Sequence, residues 1–132
     1  MSPEEIAVLD ANSAFYRAFA RRDLPAMEAL WAEGAAVACI HPGGDALRGR
    51  EAVMESWRSL LEGEAPDIDC AAASAHVAGD VAWVLCRERI PGAPPVAATN
   101  VFVREGGAWR ICHHHAGLVA QANEEPPPGA RA

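Results

Sequence analysis

Five histidines occur in this chain of 132 residues, and three of them are consecutive: His113, His114 and His115. Imidazole changes charge near neutral pH and also binds metals, so the run has two chemical readings. Successive strand residues point to opposite faces, which puts His113 and His115 on one face and His114 on the other. Two histidines need a third ligand to hold a metal, and no Asp or Glu stands near them in sequence. His41 could supply one across the fold, but the favoured reading is polar lining of a pocket, with interface or structural hydrogen bonds as the alternative. His41 precedes Pro42-Gly43-Gly44, so it sits in a loop at the exit of a short apolar run, where it either faces a cavity or bonds the loop backbone. Asn100 lies inside an otherwise apolar stretch. A buried amide must be hydrogen-bonded and a strand interior has few spare partners, which favours a pocket wall. Tyr16 lies on a helical apolar stripe, either as a core tyrosine with one hydroxyl partner or as a ligand contact.

The elements that must position these groups change period half-way along the chain. Ser2, Pro3, Glu4 and Glu5 form a helix start, followed by apolar residues at helical spacing through Ile6, Leu9, Ser13, Tyr16 and Ala20, with Phe15 and Phe19 beside them, to a stop near Arg21 and Arg22. Asp23 and Pro25 open a second helix from Leu24 to about Ala32, ended by Gly34. Ala35 to Ile40 is a strand, and Arg50 to Glu62 a third helix between Gly49 and Gly63. Four stretches of period two then follow, 68–78, 81–90, 96–104 and 109–120, separated by Gly79-Asp80, by Pro91 to Pro95 and by Gly106-Gly107. Helices first and a bent antiparallel meander after them is an α+β layout. Trp83 and Leu85 alternate with Val84 and Cys86, so the sheet is apolar on both faces, and a partner subunit is expected over the face the helices leave open. Residues 1–122 read as one domain and 123–132 as a Pro-rich tail outside the core, expected to be disordered.

Composition narrows the partners. The formal net charge is −7, and all 11 cationic side chains are arginines scattered along the chain, with no lysine. A phosphate-neutralising stripe is absent, so nucleic acid is not an expected partner, and a Schiff-base mechanism has no lysine to use. No apolar run approaches the roughly 20 residues of a membrane span, and Glu4 and Glu5 stand where a signal peptide would carry positive charge; the expected location is the cytoplasm. Cys39, Cys70, Cys86 and Cys112 form no C-x-x-C pair and read as buried free thiols. Gly43-Gly44 and Gly106-Gly107 are turn glycines, not a phosphate loop, and no cofactor motif is present.

Phe15-Tyr16 through Asp23-Leu24, then Met27, Leu30-Trp31, Val37 to Gly43, Leu47 to Arg50 and Ser56-Trp57 together resemble the nuclear transport factor 2-like superfamily. Within it, the likeness is to the SnoaL-like group of small bacterial proteins. The stretch from Trp109 to Gly117 is similar to the closing strand of the association domain of calcium/calmodulin-dependent kinase II. The resemblance implies a cone-shaped barrel of three helices on a strongly bent, mostly antiparallel sheet, with a ligand pocket in its open end and homodimerisation through the sheet. It implies a pocket more than a reaction, because the superfamily holds isomerases, cyclases, a dehydratase and non-catalytic members. Laid over a ketosteroid isomerase-like pattern, Tyr16 takes the place of the oxyanion tyrosine, His41 that of the carboxylate base and Asn100 that of the protonated acid. Trp57, Trp83 and Phe102 are taken as pocket walls, and His113 or His115 as supporting groups. Arg87 shares the parity of Trp83 and is similar to the arginines of hub pockets, the alternative being an ion pair with Glu88 or Glu105. The expected ligand is a small, largely apolar molecule carrying at least one oxygen. The expected function is binding with cofactor-independent isomerisation or cyclisation next to a carbonyl, against an oligomerisation or sensing module with a vestigial pocket.

Overall fold

The computed structural model describes residues 1–120, so the Pro-rich tail lies outside the described residues. Helices α1 (Pro3–Ala20) and α2 (Leu24–Leu30) come first, then strands β1 (Ala38–Ile40) and β2 (Leu47–Arg48) and helix α3 (Arg50–Glu62). The remaining strands are β3 (Asp69–Ala78), β4 (Val81–Arg89), β5 (Val96–Glu105) and β6 (Ala108–Leu118). They form one six-stranded sheet in the order β2-β1-β6-β5-β4-β3. All pairings are antiparallel except β1 with β6. The helices pack on one face of this mixed, unclosed sheet, as an α+β cone requires.

Local chemistry sets the helix ends. Ser2 accepts from the Glu5 amide while Glu5 accepts from the Ser2 amide, a reciprocal cap at the start of α1, worth about 1 kcal/mol. Asp23 caps α2 through the Ala26 amide. The second helix stops at Leu30, before the expected Ala32, because Trp31 leaves helical geometry and bridges to Ile111. The Arg50 guanidinium then binds the carbonyls of Glu28, Trp31 and Ala32. Gly49, at φ 89°, turns the chain from β2 into α3 while its amide bonds the Val37 carbonyl, a conformation open to glycine. Strand β1 is three residues long rather than the six expected, and it runs parallel to β6.

The apolar stripe of α1 is rotated from the expected one. Val8, Asn12, Phe15, Tyr16 and Phe19 are buried, whereas Ile6 is 48% exposed. With Trp31, Trp57, Met27, Val53, Val84, Phe102 and Ile111 they form the core between helices and sheet. The thiols of Cys39 and Cys86 are buried, those of Cys70 and Cys112 half-buried, and all four are free.

Two bulges bend the sheet. One lies in β3 between Ala71 and Ser74, opposite Arg87 and Leu85, and the other inserts Cys112 into β6, between Ile111 opposite Phe102 and His113 opposite Val101. An extra residue increases local twist and reverses the facing of every residue after it. In the first bulge Ala72 has φ 55°, a left-handed conformation that strains an L side chain, most of all a β-branched one. Ala72→Val is therefore expected to lose about 1–3 kcal/mol although valine is the better strand former. Ala72→Gly should stay within about 1 kcal/mol of the parent. Urea midpoints measure both.

Candidate functional site

A cavity of about 240 Å³ lies where β1 and β4 finish and β3 begins. Its walls are mostly apolar, among them Phe15, Phe19, Trp57, Leu60 and Ile68, and its polar groups are Tyr16, His41, Glu88 and His114. That composition, an apolar enclosure with a few convergent polar atoms, is typical of a small-molecule site.

Glu88 anchors the polar set. It sits on β4 at the inward parity of Val84 and Cys86 and is 2% exposed. The Tyr16 hydroxyl donates to Glu88 Oε2 at 2.6 Å. Burial pushes the Glu88 carboxyl above its ordinary value, and the Tyr16 hydrogen bond offsets this only in part, so the carboxyl tends towards its neutral form. Burial, with Cys86 and Glu88 nearby, also raises Tyr16 well above the ordinary phenol value.

Asn100 organises the layer beneath. Its Nδ2 donates to Asn12 Oδ1 at 2.8 Å and to the Tyr16 oxygen at 3.1 Å, and its Oδ1 faces His114 Nδ1 at 2.5 Å. Because Oδ1 can only accept, the His114 proton is on Nδ1, and the lone pair of Nε2 is directed towards Glu88 Oε2, 3.8 Å away. Burial holds His114 down to about 3, and the neighbouring His41, His113 and His115 act in the same direction. On the opposite wall, Ser56 donates its hydroxyl proton to the Val53 carbonyl at 2.7 Å and is 2.9 Å from His41 Nε2. The His41 proton is therefore on Nε2, which leaves Nδ1 with a lone pair. Burial lowers His41 as well, and its ring centre lies 4.8 Å from that of Trp57 and 6.2 Å from that of His114. The buried Trp57 indole N–H has no acceptor among the described residues.

Of the residues singled out in the sequence, Tyr16, His41 and Trp57 line the cavity. Asn100 is fully buried behind it, with both amide hydrogens engaged, so it holds Tyr16 and His114 instead of presenting a donor to a ligand. Phe102 is buried between Ala82 and Ile111 and fills the core away from the cavity. Trp83 and Arg87 point to the outer face, opposite to Val84, Cys86 and Glu88, and Trp83 stacks on His76 with ring centres 5.4 Å apart. His113 and His115 are also outward, His113 reaching the Ala38 carbonyl. The inserted Cys112 is the reason: counted on from buried Trp109 and Ile111, strict alternation would turn His113 and His115 inward, but the bulge turns His114 inward instead.

Three contributors were missed: Glu88, His114 and Asn12. Arg87-Glu88-Arg89 looks like a solvated strand end. Yet a strand with one buried face must turn either both arginines or the glutamate inward, and only the carboxyl can become neutral. Among the described residues there is no cluster of three or more His, Cys, Asp or Glu placed to hold a metal ion, and no helix is long and apolar enough to cross a membrane.

His114 makes stability depend on pH. The fold keeps its imidazole neutral down to about 3, whereas in the unfolded chain it takes up a proton near its ordinary 6.5. Its contribution is complete above 6.5 and is lost as pH falls from there towards 3, with a slope of about 1.4 kcal/mol per pH unit. Acid unfolding followed by circular dichroism should show this limb, and His114→Gln should flatten it.

Three helices on a bent, open sheet, enclosing an apolar cavity with a few convergent polar groups, define a small α+β cone. The chain belongs to the SnoaL-like domain family, whose profile matches residues 8–121, within the nuclear transport factor 2-like superfamily of ligand-binding and isomerase-type proteins. A Streptomyces avermitilis protein of the NTF2-like family, proposed to be a dehydratase, is 31% identical with a TM-score of 0.79, over 87% of this chain and 95% of that one. A proposed calcium/calmodulin-dependent protein kinase type II association domain from Thiobacillus denitrificans is 35% identical with a TM-score of 0.74, over 83% and 92%. The F-box protein SKIP8 of Arabidopsis thaliana is 30% identical over 116 residues, 86% of this chain, and the chain spans 50% of that protein's length.

Proposed function

We propose that the cone binds a small, largely apolar, uncharged molecule carrying at least one oxygen, and that it moves a proton next to a carbonyl of that molecule. The observation that carries this reading is the buried Glu88 carboxyl, hydrogen-bonded by Tyr16 in an apolar cavity that also holds two neutral imidazoles. His41, through Nδ1, takes the proton from the carbon beside the carbonyl. Glu88, as the neutral acid, donates a hydrogen bond to the oxygen on which negative charge develops, in the role first assigned to Asn100. Tyr16 and Asn100 hold Glu88 and His114 in place, and His41 returns the proton at the γ carbon, two positions from the carbon it was taken from. A dehydration would draw on the same groups, in line with the likeness to the Streptomyces protein. The test is conversion of a β,γ-unsaturated cyclohexenone to its conjugated isomer, followed by absorbance. Turnover that keeps its imidazole-like pH limb after His41→Ala would remove His41 from the mechanism, and no turnover above buffer would remove the proton-transfer reading.

A second reading, oligomerisation or ligand sensing without turnover, is favoured by the likeness to the kinase association domain. Both readings include a homodimer through the outer sheet face, where Val81, Trp83 and Leu85 are 41%, 37% and 36% exposed, an apolar patch that needs cover. Sedimentation velocity is expected to give twice the chain mass, and Trp83→Glu to return the 13.9 kDa species. A parent chain that already sediments at that mass would remove the dimer.

A further inference from the structure

Two cysteines that the proton-transfer reading does not use lie against the groups it does use. Cys70 on β3 pairs with Glu88 on β4. Cys86, two residues before Glu88 on the same strand, therefore shares the inner face with both, one diagonal step from Cys70 across the β3–β4 ladder. Each also touches the polar network: Asn12 donates to Cys70 Sγ at 3.6 Å, and Cys86 Sγ lies 3.3 Å from the Tyr16 hydroxyl oxygen. That hydroxyl donates to Glu88, so it is the Cys86 S–H that points to the Tyr16 oxygen. The pair is reachable from one side, since β3 is the edge strand of the sheet and Cys70 is only half-buried, whereas Cys86 is buried.

We propose that Cys70 and Cys86 form a reversible redox pair, oxidised by hydroperoxides, whose disulfide withdraws the Cys86 hydrogen bond from Tyr16 and so resets the polar floor of the cavity. The two thiols differ in the sense this needs. The neighbouring Cys86 and then the hydrogen bond from Asn12 lower Cys70 against the effect of burial, while the contact with Cys70 and burial both raise Cys86. Cys70 is thus the nucleophile and Cys86 the resolving thiol. In the first step the Cys70 sulfur attacks the O–O bond of the hydroperoxide. An S–O bond forms, the O–O bond breaks, and the thiol proton leaves with the displaced oxygen as water or an alcohol. In the second, Cys86 attacks the sulfenic sulfur, the S–S bond forms, and the S–O bond breaks to release water with the Cys86 proton. Two thiols lose two electrons in total and the hydroperoxide gains them. A small thiol returns the pair to its reduced state by exchange.

The chain itself supplies the assay. Cleavage after arginine leaves Cys70 and Cys86 together in peptide 59–87, while Cys112 falls in another, and Tyr16 is the only tyrosine in the protein. The reduced full-length chain, in a Cys112→Ala background, is treated with hydrogen peroxide. Peptide 59–87 is expected to lose two hydrogen masses, regained with dithiothreitol. The ring resonance of isotope-labelled Tyr16 is expected to move in step with that loss. In Cys86→Ala the reaction should stop at a Cys70 sulfenic acid trapped by dimedone, and in Cys70→Ala peptide 59–87 should stay reduced. Retention of both thiols in the parent, a bridge between chains, or a bridge that leaves the Tyr16 resonance unmoved would each overturn the proposal. None of these readouts depends on turnover, so the redox pair and the proton-transfer reading stand or fall separately.

Discussion

Glu88→Gln is expected to raise the thermal midpoint at neutral pH while slowing enone formation by about a hundred- to a thousand-fold. The stability half follows from the direction of the Glu88 shift. Its folded value lies above the ordinary 4.5, so the fold binds a proton more tightly than the unfolded chain does. The carboxyl therefore causes no loss of stability below 4.5, and stability declines as pH rises from there through the raised folded value. Glutamine keeps the acceptor for the Tyr16 hydroxyl and has no charge to bury. The gain should grow with pH across this range and disappear in acid, where the parent carboxyl is already neutral. The loss of rate has the same origin, because an amide N–H is a weaker donor than a carboxylic acid towards a developing oxyanion. Melting curves of both proteins across pH, set beside the enone assay, measure the two halves. A Glu88→Gln variant that melts lower than the parent at neutral pH would refute the buried neutral acid, whereas unchanged turnover would refute only its catalytic use.

Asn100→Leu is expected to lose about 3–5 kcal/mol of stability, the larger of the two stability effects. Leucine shares the branching and the number of side-chain heavy atoms of asparagine but removes three hydrogen bonds together: those from Nδ2 to Asn12 and Tyr16, and that from His114 to Oδ1. Asn12 Oδ1 and His114 Nδ1–H would then be left in a dry interior, and an unsatisfied buried group costs about 1–3 kcal/mol. The partner groups make the argument checkable. In a double-mutant cycle, Asn12→Leu should cost much less on top of Asn100→Leu than in the parent, since it removes one of the groups that the first substitution orphans. Urea midpoints of the four proteins give the coupling, and additive losses would show that the amide pair is not a unit. Such a loss is a large part of a typical domain's stability, so folding of the single variant is best followed at low temperature with Asn100→Asp alongside.

Much of the architecture was legible because periodicity and punctuation are local. The Ser2 cap, Asp23, Gly49 and Gly63 bound the helices near their expected positions, and the switch from a 3.6 to a 2 period separated helices from meander. The same logic failed at β1 and β2, which are short and held by the parallel contact with β6 rather than by their own pattern. It also failed at the end of α2, where Trp31 leaves the helix to meet Ile111 and Arg50 takes the free carbonyls. Tyr16, His41 and Trp57 were recognised as cavity candidates from residue type and resemblance. Glu88 was not, because a carboxyl between two arginines reads locally as surface.

The sequence by itself determined the α+β order, the turn positions and, through the missing lysines, the lack of any Schiff-base chemistry, because each depends on composition or on neighbours a few residues away. Only the tertiary structure decided which side chains meet. One inserted residue, Cys112, turned His114 inward and His113 and His115 outward. The rotation of α1 brought Asn12 to Asn100, and the register of β3 on β4 set Cys70 beside Glu88. Facing on a strand alternates with every residue, so a single bulge in the pairing reverses everything beyond it, and no local pattern fixes where that bulge will fall.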